Sequence, residues 1–84
     1  MKAKILTDSN NLLTMFRLGA IEGELVNSNN FDLIFNKSIK DRELGILIIT
    51  RTVYDAHKLK IDDFRKENTM PLIVTIDGWK DKIC

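Results

Sequence analysis

Asp8 and Ser9 are the residues of this chain best placed to do chemistry, because they follow a short apolar run, Lys2 to Thr7, at the point where a strand would hand over to a helix. An acidic residue there suits a phospho-accepting signalling site that holds a metal. Such a site also needs an aspartate at the end of the third strand, and the third apolar run ends in Ile49, Thr50 and Arg51, none of which forms an aspartyl phosphate. The other role open to Asp8 or Ser9 is capping the helix that follows.

Other reactive types are sparse and poorly spaced. His57 is the sole histidine, lies on the apolar side of a predicted helix and has no adjacent nucleophile, which points to a structural or partly exposed imidazole. Asp62 and Asp63 are consecutive, so on a helix they diverge by about 100° and read as a solvated face, not a carboxylate pair. The only cysteine, Cys84, ends the chain, which leaves no internal disulfide and no zinc framework and fits a reducing cytoplasm. No glycine-rich phosphate loop occurs; Gly19 and Gly23 stand apart in a helix-to-strand connection where a backbone turn accounts for them. The expectation is no catalytic residue, no cofactor and no metal.

The elements that position these residues follow from periodicity. Lys2 to Thr7 reads as a strand, and Leu12, Leu13, Phe16 and Ala20 then mark a helix that closes near Gly19. Ile21 to Val26 reads as a second strand, followed by Asn27, Ser28, Asn29 and Asn30, where an Asn side chain can cap a helix whose apolar face is Phe31, Ile34, Phe35 and Ile39. Leu44 to Thr50, LGILIIT, is a continuous aliphatic run suited to a strand buried on both faces and is the predicted sheet centre. Val53, Tyr54, His57, Ile61 and Phe64 form the stripe of one charged helix, and Met70 to Ile76 gives a fourth strand entered through Pro71.

This β, α, β, α, β, α, β alternation predicts an α/β fold: a doubly wound four-stranded parallel sheet of order 2-1-3-4 with helices on both faces, Rossmann-like, as one globular domain over residues 1–84. The switch point between the first and third strands, where Asp8 meets Thr50 and Arg51, is where a ligand or partner would approach. With 44% hydrophobic and 30% charged residues the chain is ordinary globular material. Thirteen basic against twelve acidic residues leave a net charge of +1, too little field to recruit nucleic acid or anionic lipid. Phe31, Phe35 and Phe64 fall on core stripes and so offer no base-stacking platform. The longest apolar stretch is far short of the roughly 20 residues that span a bilayer, and the start lacks a signal-peptide core.

FRLGAIEG at Phe16 to Gly23, LGILIITRTVYD from Leu44 and MPLIVTIDG from Met70 together resemble the F subunit of the central stalk of V-type (A-type) ATP synthases, over Lys2 to about Lys80. The family usually reads FRLAG where this chain has Gly19 before Ala20, often has Glu where Arg51 stands, and places its acidic turn residue one position later than Asp8. It commonly continues into a C-terminal helix that is expected to be missing here, as in a shortened chain or a short variant. The resemblance implies a non-catalytic rotor part in the cytoplasm, peripheral to the membrane. It would bind the coiled coil of the D subunit of the central stalk and, through the complex, meet the A/B catalytic headpiece, coupling ATP hydrolysis or synthesis to ion transport. It would take no small-molecule substrate. The interface residues it implies are Phe16, Arg17, Leu18, Thr50 and Arg51. The competing class, a receiver-like or small-molecule-binding signalling domain, would use the crevice at Asp8.

Overall fold

Strand and helix lengths in this chain are set by where its apolar runs meet polar caps. The computed structural model describes residues 2–77. Gly78, at the end of the fourth motif, and Cys84 lie outside them. In chain order the elements are β1 (Lys2–Thr7), α1 (Asn10–Leu18), β2 (Glu22–Leu25), α2 (Phe31–Ile39), β3 (Leu44–Thr50), α3 (Arg51–Ala56), α4 (Lys58–Glu67) and β4 (Leu72–Ile76). The sheet is parallel throughout, in the order β2-β1-β3-β4, so the doubly wound α/β fold expected from the sequence is the fold found.

Alternation along the strands divides the interior into two layers. Leu6, Leu47, Ile49 and Ile73 face α2, α3 and α4, where Phe31, Ile34, Phe35, Val53 and Ile61 complete the larger core. Ile5 faces the other way, against Leu12 and Leu13 of α1, with Phe16, Ile48 and Ile76 packed around them. One irregularity adjusts this pattern. Lys2 pairs with Leu44 but Ala3 with Ile46, so Gly45 is an extra residue, and Leu44 turns into the larger core.

Three boundaries differ from expectation. β2 is shorter at both ends, although the Val26 amide still donates to the Thr7 carbonyl at 2.9 Å. β4 begins at Leu72 because Pro71 has no N–H to give the ladder. The single helix expected after β3 is two helices broken at His57, whose backbone leaves the helical region (φ −129°, ψ 32°). Its N–H closes α3 on the carbonyls of Val53 and Tyr54, both at 3.1 Å, and its own carbonyl opens α4 by accepting from Ile61 at 3.1 Å. The imidazole lies flat on the Phe31 ring, with centroids 3.9 Å apart and planes 6° from parallel. That stack ties the break to the start of α2.

Candidate functional site

The carboxyl ends of β1 and β3 meet at the switch point, and the hydroxyl-bearing residues that follow them organise it. Ser9 caps α1: its backbone is extended (φ −110°, ψ 120°) and its Oγ accepts from the Leu12 amide at 3.2 Å. Asp8 is therefore free for a different role. Both of its carboxylate oxygens accept from the Thr52 hydroxyl, at 2.9 and 3.0 Å, across a sequence separation of 44 residues. This bond ties the β1–α1 turn to the first turn of α3. Thr52 was not legible as a partner, since only the parallel pairing of β1 with β3 brings it to Asp8.

Thr7 and Thr50 end the two central strands and are fully buried. The Thr7 hydroxyl accepts from the Ser9 amide at 3.0 Å, whereas the Thr50 hydroxyl is the one buried side-chain polar group without a hydrogen-bond partner among the described residues. On the third side Asn27 builds the wall. Its Oδ1 accepts from the amides of Asn29 and Asn30 at 2.8 and 2.9 Å just ahead of α2, while the Asn27 amide donates to Asn30 Oδ1 at 2.7 Å. The side-chain cap expected of the Asn cluster is not formed: Asn30, the residue before α2, makes no side-chain bond to the helix, and Asn27 organises the turn ahead of it.

A crevice of about 110 Å³ opens here, lined by Asp8, Asn27, Ser28, Thr52 and His57 and by the apolar Val26, Val53 and Ala56. That volume is small beside the roughly 300 Å³ at which ordinary small-molecule sites begin. Among the described residues no three His, Cys, Asp or Glu side chains gather to hold a metal ion. Charge at this end is modest: Arg51 Nε stands 3.6 Å from Asp77 Oδ1, both largely exposed.

A family model describing the ATP synthase (F/14-kDa) subunit matches residues 4–83. The chain belongs to that family. Comparison with curated proteins and with solved structures gives no match.

The five residues picked out for a stalk interface do not form one patch. Parallel topology sends α1 from the carboxyl edge of the sheet, after β1, to the amino edge, before β2. Phe16, Arg17 and Leu18 therefore lie about 9–12 Å of helix away from the edge where Thr50 and Arg51 stand. Arg17 is exposed, and Leu18, at 85% exposure, points wholly outward. Phe16 is half-buried against Ile5, Leu12 and Leu13. Thr50 is sealed inside, and Arg51 is open to solvent at the start of α3.

Two expectations need correction. Gly23 does not serve a turn: it lies within β2, where a Cβ would come within 2.6 Å of both Ile5 Cγ2 and Leu13 Cδ1, so its role is close approach of α1. Asp62 is not simply a solvated acid either. It is half-buried and accepts from the Tyr54 hydroxyl at 2.7 Å, bridging the break between α3 and α4 and pushing the phenol pKa up. No helix among the described residues is long and apolar enough to cross a membrane.

Proposed function

We propose that this chain is the non-catalytic F subunit in the central stalk of a V-type (A-type) ATP synthase. It grips the coiled coil of the stalk's D subunit so that the two turn together inside the A/B catalytic headpiece, coupling ATP hydrolysis or synthesis to ion transport. The observation that carries the reading is the family match across residues 4–83. The Asp8–Thr52 bond is consistent with it, since it spends the carboxylate of the switch point on internal fastening. In this reading the protein sits on the cytoplasmic side, peripheral to the membrane.

Arg17, Leu18 and Arg51 can reach a partner as they stand, and Phe16 can do so with the edge left open by α1. Arg17 is the strongest candidate, because its guanidinium can pair with carboxylates on a partner helix while its stem covers apolar surface. Mixing the chain with the purified D subunit should give a complex that co-elutes in size-exclusion chromatography at micromolar concentrations. Arg17→Glu should weaken that complex about tenfold, a change of ~1.4 kcal/mol, without moving the melting temperature. A chain that ignores the D subunit at these concentrations would remove the stalk reading.

A further inference from the structure

Among the described residues, half of one sheet face has no helix over it. On the α1 side, strand alternation presents Ile46 and Ile48 of β3 and Leu72, Val74 and Ile76 of β4, all on the face opposite Leu47, Ile49 and Ile73 of the larger core. α1 packs over β1 and β2, with Leu13 against Gly23. Nothing described covers β3 and β4 on this side. Leu72 is 55% exposed, Val74 is 36% exposed, and Ile46, Ile48 and Ile76 are half-buried. Met15, on the flank of α1 turned away from Leu13, is 50% exposed. The result is an apolar trough with α1 for one wall, a two-strand floor, and no charged side chain projecting from that floor.

Its dimensions suit one occupant. Two neighbouring strands make a floor about 10 Å across, and the five residues of β4 run about 17 Å, which matches the diameter and three turns of a single α-helix. A second copy laid face to face would meet only this narrow strip. That footprint is well under the roughly 800 Å² per partner that a stable dimer buries. The chain belongs to a family of subunits of a multi-chain enzyme, so a helix from another polypeptide of the complex is at hand. The trough also runs on to Phe16, one of the residues of the proposed stalk interface.

Resting on the stalk reading above, we infer that the β3–β4 face is where one helix of the D subunit's coiled coil seats. The helix would lie alongside α1 with apolar residues at i, i+3 or i+4, and i+7 placed over Ile48, Leu72 and Val74. Leu18 then lies on the outer surface of α1, and Arg17, four residues after Leu13, lies on the flank toward β2, outside this contact.

Titration of the fluorescently labelled D subunit tests this with the wild-type chain, a Leu72→Lys/Val74→Lys double variant and a Leu33→Lys/Leu59→Lys control on the outer surfaces of α2 and α4. The first double variant should lose at least tenfold in affinity and the control should stay within twofold. A milder variant guards against misfolding: Leu72→Cys in a Cys84→Ser background should react with a maleimide when free and be protected in the complex, whereas Leu59→Cys should react in both states. If the wild type binds the labelled protein but Leu72→Lys/Val74→Lys binds equally well, or Leu72→Cys stays reactive in the complex, this seating is wrong while the stalk reading stands. If the wild type shows no binding at all, both fall. Sedimentation that shows a dimer abolished by Leu72→Lys/Val74→Lys would put a second copy on the face and overturn the inference.

Discussion

The end of α1 carries a residue in a conformation that its type disfavours. Ala20 has φ 66°, and the hydrogen bonds around it form a complete left-handed helix stop: Ala20 N–H to Arg17 O at 2.9 Å and Ile21 N–H to Phe16 O at 3.0 Å. Glycine is the usual occupant of that position, yet the chain has its glycine one place earlier, at Gly19, where φ is −91° and any residue would serve. Ala20→Gly should therefore raise stability by about 0.5–1 kcal/mol, the relief of left-handed strain exceeding the added entropy of the unfolded chain, seen as a higher urea midpoint. Gly23 predicts the opposite sign. A methyl group there meets Ile5 and Leu13 at 2.6 Å, and Gly23→Ala should cost about 1–3 kcal/mol as α1 is pushed off the sheet. Neither effect could be read from glycine positions alone, since the pair reads as one turn until β2, which contains Gly23, has α1 packed on it.

Among the elements, β2 is held to its neighbours by charge as much as by its ladder. Lys4 Nζ lies 2.7 Å from Glu24 Oε2, with Lys37 of α2 farther off at 3.7 Å, and the hydrogen bond from Lys4 is the main reason that the Glu24 pKa lies below the ordinary carboxylate value. A carboxyl group whose pKa is lowered by folding contributes stability above its unfolded pKa and loses it as pH falls through the folded value. Stability should then decline as pH falls from the ordinary carboxylate range through the lower folded value, and Glu24→Gln should flatten that decline by up to ~1 kcal/mol in denaturant titrations at stepped pH. The pattern of apolar residues located β1, β3 and α2 correctly, because each buries a continuous stripe that only one period explains. It missed the break at His57 because Val53, His57, Ile61 and Phe64 keep helical spacing through it, and the stack on Phe31 comes from a residue 26 positions away.

At the scale of the whole molecule, a sheet whose described neighbours leave half of one face open needs help. A chain this short buries only about 60–65% of the surface that its unfolded form exposes, and the uncovered β3–β4 strip lowers that return further. Modest stability alone, and a rise when the D subunit is added, should follow. With that partner free at 100 times its dissociation constant the gain is about 2.7 kcal/mol, visible as a concentration-dependent melting temperature by differential scanning fluorimetry. A melting temperature indifferent to the partner would count against the stalk reading at this scale.

Residue order by itself determined the element types, the parallel sheet and its strand order, because hydrophobic period and crossover handedness leave few alternatives for a chain of alternating strands and helices. The motifs FRLGAIEG, LGILIIT and MPLIVTIDG likewise pointed to the family that matches residues 4–83. Only the tertiary structure decided which polar groups meet, as in Asp8 with Thr52 and Tyr54 with Asp62, and that Arg17 and Arg51 stand at opposite edges of the sheet. It alone also left Leu72 and Val74 uncovered. The physical reason is that periodicity reports what a residue does within its own element, whereas a contact or an exposed face depends on which other elements arrive beside it.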